Sequence, residues 1–347
     1  MSDKIKKTLQ FILFLGLGLF FIWFSLKDLN AEQRSTIIEN MKAVAIDNRW
    51  IFLVFSMIIG LLSVVFRAFR SVILLEPLGY RVSKTNSYHS VMICYIANLA
   101  FPRLGEVLRC TFIQRYEKVP FQKTLGTVVT ERIIDMICFG LTFIVALLLE
   151  RDKLASLFLN KTQTGNQGLL SNPSFLLFII IAVVLIVLFF IFRKSIIRWS
   201  VYQKIKNILL GFWSGLLSIV KLKRPIAFIL YSILIWMCYF FMFYVAIFAF
   251  PALRALGSEM WIASLSCVVV GTIGFIIAQG GLGAYPLLIA SVLLLYNVNK
   301  EIGLAVGWVV WTTETVLYIL GGIVSLILAP FTNAKTNKDE HPTTDKA

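Results

Sequence analysis

Two short polar stretches, each broken by proline or glycine, interrupt sequence that is otherwise built to sit in hydrocarbon. The first reads Asn98-Leu-Ala-Phe-Pro102-Arg-Leu-Gly105-Glu106-Val-Leu-Arg109, the second Gln279-Gly280-Gly281-Leu-Gly283-Ala-Tyr285-Pro286. A lipid interior offers no partner to a stray N–H or C=O, so a break at membrane depth must be buried in protein or border a wet cavity. Interrupted segments in two separate halves of a membrane chain are a pointer to a transporter-type binding site.

The chain around them fits that setting. It has 347 residues, 59% hydrophobic and 15% charged, against about 25% charged in an ordinary soluble domain. The apolar residues fall in long runs, at 8–26, 50–74, 124–149, 173–192, 225–250, 259–279, 280–296 and 302–330. A crossing takes roughly 20 residues, so the fold class is an all-α polytopic membrane protein of about eight transmembrane helices. The stretch 86–116 is only moderately apolar and carries both a break and several charges, which predicts a re-entrant helical hairpin. Residues 259–296 read equally as two crossings or as one hairpin dipping in from outside.

The net charge of +15 does not indicate nucleic acid, because the basic residues cluster beside apolar runs, where they meet anionic headgroups and set orientation. The loop 193–224 holds eight Lys and Arg and no acid, which marks it as cytoplasmic, with an apolar stripe from Val201 to Val220 suited to an interfacial helix. The N-terminal lysines, the group Arg67, Arg70, Arg81 and Lys84, and the tail lysines agree. Both termini are then expected inside, with 1–330 as one membrane domain and 331–347 as a disordered tail. The first run, preceded by Lys4, Lys6 and Lys7, reads as a signal-anchor helix, not a cleaved leader.

Ionisable residues inside the apolar runs are the candidates for function, because each is costly there. Glu106 and Arg109 are one helical turn apart and are expected to pair, leaving Arg109 or Arg103 to engage a phosphate beside the N–H groups of a helix starting after Pro102. Glu131, Arg132 and Asp135 share a face of the run 124–149 and serve either as interhelical glue or as ligand contacts. Glu314 lies near the middle of the last run, where it must be protonated or paired with Arg103, Arg109 or Arg132. Gly280, Gly281 and Gly283 permit a turn closed to other residues, while Gly303 and Gly307 have the spacing of close helix packing. No hydrolase triad, nucleotide loop, zinc motif or dinucleotide fingerprint occurs, so neither a cofactor nor conventional enzyme chemistry is expected. The five cysteines form no metal pattern and read as small packing residues.

The set Asn98…Pro102-Arg-Leu-Gly105-Glu106…Arg109, Glu131-Arg132…Asp135 and Gly280-Gly281-Leu-Gly283 resembles the lysylphosphatidylglycerol synthase transmembrane-region family, over roughly 8–330. The resemblance implies a flippase-like helical domain of the bacterial inner membrane that moves lipid between leaflets, without the cytoplasmic domain that aminoacylates phosphatidylglycerol in full-length members. Those members often carry a proline before the glycine turn and a glutamate soon after it. At those places this chain has Gln279 and Tyr285-Pro286, which leaves Glu314 as a candidate replacement. Membrane lipids with anionic headgroups are then the expected partners, and self-association into a homo-oligomer stays open. Two other readings compete: a proton-coupled carrier of a small soluble solute, and a non-transporting scaffold that binds a partner through 193–224.

Overall fold

The computed structural model describes residues 16, 19, 20, 22, 23, 27, 29–101, 103–150 and 222–340. Among them there is helix and no strand, as expected where the backbone must satisfy its own hydrogen bonds. Among the described residues, nine helices of eleven residues or more carry the fold: α1 Ala31–Ile46, α2 Trp50–Leu75, α3 Lys84–Ala100, α4 Leu104–Glu117, α5 Phe121–Leu149, α6 Pro225–Ile247, α7 Met260–Ile277, α8 Ala284–Leu294 and α9 Lys300–Glu340. Five apolar stretches among the described residues are long enough to cross a bilayer: Trp50–Leu78, Phe121–Leu149, Pro225–Ile247, Gly257–Ile277 and Lys300–Asn333. The expected runs 173–192 and most of 8–26, and the basic stretch 193–221, lie outside the described residues. Residues 341–347 of the expected disordered tail lie outside them as well, whereas 331–340 continue α9 as helix to Glu340.

Local chemistry sets the ends. Asn30 and Gln33 cap the start of α1 reciprocally, each side chain accepting from the other's backbone N–H, which satisfies donors a helix start leaves open. Gly79 at φ 88 closes the turn after α2, and Pro225 opens α6 at a position where a missing N–H costs nothing. The helix α1 lies on the start of α9, with Gln33 donating to Glu301.

Small residues fix how the long helices meet. α2 and α6 run antiparallel: Ser56 donates to the carbonyl of Met242, and Arg70 to Ser232 near the other end. α8 folds back along α7, and α9 folds back along α8. A Cβ on Gly274 would lie 2.9 Å from Tyr285 Cα, one on Gly303 2.8 Å from Ala290 Cα, and one on Gly307 2.5 Å from Pro286 Cα. The expected close packing at Gly303 and Gly307 is therefore present, with backbone as the neighbour. α3 runs antiparallel along the other half of α9, with Met92 against Gly321, Ile96 against Gly322, and Asn86 bonded to Asn333.

These contacts place two helical hairpins on one long helix. The α3–α4 hairpin approaches from the Asn333 end of α9, and the α7–α8 hairpin from the Lys300 end. Their tips meet beside the middle of α9, where Trp311 donates to the carbonyl of Gly280 at 2.6 Å. Leu99 Cδ2 would lie 3.3 Å from a Cβ on Gly280. At 1.5 Å per residue, the 11 residues of α8 reach about 16 Å, roughly half of a hydrocarbon core about 30 Å thick.

Candidate functional site

Where the tips meet there is a cavity of 390 Å³, within the range of about 300–1,000 Å³ usual for ligand sites. Its polar lining comes from eight helices and the glycine turn: Arg67 (α2), Tyr95 and Asn98 (α3), Glu106 (α4), Arg132 and Asp135 (α5), Trp236 and Tyr239 (α6), Thr272 (α7), Gly280, Tyr285 (α8), and Glu314 with Tyr318 (α9). Its apolar lining includes Leu99, Phe243, Val268 and Phe275. A larger hollow of 710 Å³ lies elsewhere, between α1, Trp23 and Trp308, with Lys27 and Arg34 but no carboxylate and neither broken segment in its wall.

The broken segments are built for close approach. In the first, Arg103 is exposed and left-handed, at φ 61, and α4 starts beside it. The Gly105 N–H donates to Asn98 Oδ1 at 2.8 Å, so Asn98 occupies one of the donors expected to face an anion. A Cβ on Gly105 would fall 2.1 Å from the Cys94 carbonyl, which leaves glycine as the residue that lets α3 and α4 touch. In the second, Gly280, Gly281 and Gly283 all take positive φ, at 59, 73 and 71, a region that penalises any residue with a Cβ. Pro102 lies outside the described residues, as does the side chain of Gln279.

The charges pair differently from the sequence expectation. Arg109 does not bond Glu106. It forms a two-pronged pair with Glu131, at 2.9 and 2.8 Å, and also donates to Ser71 Oγ at 2.8 Å. It is 2% exposed and Glu131 1%, and neither lines the cavity. Both terminal nitrogens of Arg109 are engaged, so the residue holds α2, α4 and α5 together. Planar forks suit this role, because two parallel bonds fix geometry as well as charge. Arg103 likewise does not line the cavity. Glu106 pairs with Arg132 instead, at 3.1 Å, and Asn98 Nδ2 approaches it at 3.4 Å.

Asp135 carries the second knot. Its carboxylate meets Arg67 at 2.7 Å and Arg70 at 2.8 Å, with Arg132 at 3.9 Å. Arg67 also donates to Tyr239 Oη at 2.8 Å. Sequence reasoning counted Arg67 and Arg70 as loop cations. Both are buried inside the described bundle, and the signal was present, since both stand within the apolar run 50–74. Tyr95, Trp236, Tyr239 and Tyr318 were missed as well. Nothing separates them in sequence from the aromatic residues that face lipid.

Two groups of the cavity stay open. The Arg132 side chain is 41% exposed, against 4% for Arg67. Glu314 accepts from Tyr318 Oη at 2.9 Å, while Arg109 and Arg132, two of its expected partners, are paired with other carboxylates. Glu106 Oε2 and Trp236 Nε1 are buried without a hydrogen-bond partner among the described residues. A bound molecule would thus meet one accessible guanidinium, one N–H donor and two carboxyl groups in a partly aromatic box.

Among the described residues the architecture is all-helical and multi-pass, with a charged cavity between two interrupted hairpins, and it defines an integral membrane protein. The family model for the lysylphosphatidylglycerol synthase TM region matches residues 11–322. The chain belongs to that family, nearly over its whole length. Neither the curated proteins nor the solved structures compared with it contain a match.

Proposed function

We propose that this protein translocates a phosphate-bearing lipid between leaflets of the bacterial inner membrane, with the headgroup passing through the cavity and the chains remaining in the bilayer. One observation carries the reading. Arg132, whose side chain is 41% exposed, lines the cavity where the two broken hairpins meet beside Glu314, near the middle of the apolar stretch Lys300–Asn333. Arginine matches phosphate by two-pronged, charge-assisted bonds, and an ionisable residue within a membrane span is by default a candidate for function.

The roles follow from the pairings. Arg132 holds phosphate in place of Arg109 and Arg103, Glu106 and Asp135 orient it, and Arg109–Glu131 keeps the scaffold rigid. The two hairpins enter from opposite faces as re-entrant elements, so the site is reached from either side when one tip moves. Both termini lie in the cytoplasm in this reading, and the protein performs no covalent chemistry.

The test is reconstitution into liposomes with fluorescent phosphatidylglycerol and a quencher confined outside. Wild-type protein is expected to expose inner-leaflet lipid well above the empty-vesicle rate, and Arg132→Ala to fall back to that rate while remaining folded. Equal rates for wild-type protein, the variant and empty vesicles would end the lipid reading. Uptake of a soluble solute by the same vesicles would favour a carrier.

A further inference from the structure

The interior charges around the cavity do not balance, and the imbalance involves Glu314. Four arginines line the cavity or pair directly with a residue that lines it or its neighbour: Arg67, Arg70, Arg109 and Arg132. Three carboxylates match them, Glu106, Glu131 and Asp135, through ion pairs of 2.7 to 3.1 Å. Arg67 and Arg70 share Asp135, so among these described groups one positive charge is in excess. Glu314 is the fourth carboxyl. Its described hydrogen bond comes from a neutral hydroxyl, Tyr318.

The titratable and charged groups that face the same space come from seven helices. They are Arg67 on α2, Tyr95 on α3, Glu106 on α4, Arg132 and Asp135 on α5, Tyr239 on α6, Tyr285 on α8 and Tyr318 on α9. Arg67, Glu106, Asp135 and Arg132 are already committed to one another. The tyrosines supply dipoles and no countercharge.

An ionised Glu314 therefore makes the empty site neutral. A phosphodiester monoanion does the same if Glu314 carries a proton. Both anions together leave one negative charge too many in a space poorly screened by water, where like charges repel strongly. Resting on the lipid-phosphate reading above, the geometry points to Glu314 as a proton site that competes with the lipid's phosphate for one excess positive charge, so that lipid binding and protonation of Glu314 promote each other. Lipid headgroup and proton then occupy the cavity together and cross together. The proton comes from water on the side from which the cavity is loaded and returns to water on the other side, with no bond formed or broken in the lipid.

Binding linkage fixes the sign. Where Glu314 is already protonated, at acid pH, affinity for the phosphodiester is flat and no proton is taken up. At higher pH, between the titration of Glu314 in the free site and its raised titration in the lipid-bound site, each lipid bound brings in about one proton and affinity falls about tenfold per pH unit. By reciprocity the bound lipid raises the affinity for that proton by the same factor that the proton raises the affinity for lipid.

The experiment uses the full chain in detergent micelles and short-chain phosphatidylglycerol as probe, across the pH range in which the diester stays a monoanion. Affinity is read by calorimetry, and proton uptake by an indicator dye in weak buffer. Wild-type protein is expected to show the alkaline fall and the matching uptake. Glu314→Asp, which keeps a carboxyl, is expected to retain both, and Glu314→Gln to give a flat affinity and no uptake. Binding by wild-type protein with no pH dependence and no uptake would overturn the coupling while leaving the lipid reading standing. The same would follow if Glu314→Gln took up protons as wild type does. Absence of any binding by wild-type protein would overturn the lipid reading and the coupling with it.

Discussion

The two arginines on neighbouring helices illustrate how burial separates structure from function. Arg109 and Arg132 are both paired with glutamates, yet one is sealed and the other is half open. Removing one member of a sealed pair strands the other charge, at a cost of about 3–5 kcal/mol. Arg109→Ala is therefore expected to lower the melting temperature sharply in detergent, and lipid transport to fail with it. Arg132→Ala opens a partly exposed pair, which is expected to cost less than the sealed one because the Glu106 carboxylate it leaves is not fully buried. It is expected to melt within a few degrees of wild type while losing transport. A differential scanning measurement beside the liposome assay checks both, and equal loss of stability in the two variants would contradict the assignment. Sequence made the charged residues visible, since each stands out in an apolar run. It did not show who pairs with whom. Glu106 and Arg109 are correctly placed on one helix face, but Glu131 competes for Arg109 from another helix, and no spacing rule reports that.

At the scale of elements, the hairpins depend on glycine where backbone meets backbone. Gly307 has Pro286 Cα at 2.5 Å from the point a Cβ would take, and backbone cannot swing aside as a side chain does. Gly307→Val is expected to cost at least about 1–3 kcal/mol and to loosen α8 from α9, seen as a lowered melting temperature and faster proteolysis. Gly140 has open space around its position among the described residues, so Gly140→Ala is the matched control, expected to be neutral or to stabilise by up to about 1 kcal/mol. The breaks themselves were legible: Gly280, Gly281 and Gly283 predicted a turn that only glycine makes easily, and three positive φ values are found there. The choice between two crossings and a dip was not legible, because loop charge is the same for both. The proposed arrangement takes the dip, because α8 has 11 residues where a crossing needs about 20.

At the scale of the molecule, two hairpins approach the middle of α9 from its two ends. If α9 crosses the bilayer, the bases of the hairpins face opposite compartments. Single cysteines replacing Ser83, just before α3, and Asn299, just before α9, both exposed, are expected to react with an impermeant reagent from opposite sides of sealed vesicles. Labelling of both from one side would contradict the arrangement. The account as a whole turns on whether the tips enclose water. Thr272 lines the cavity, and Ile276, one turn further along the same helix, is 73% exposed on the outer surface. The most direct measurement places one cysteine at either position in a cysteine-free background and follows its reaction with a charged, water-soluble thiol reagent in liposomes. Thr272→Cys is expected to react readily and to be protected by added short-chain phosphatidylglycerol, while Ile276→Cys stays inert. Two equally unreactive thiols, or a reactive Thr272→Cys that phosphatidylglycerol leaves unprotected, would contradict a wet headgroup path between the hairpins.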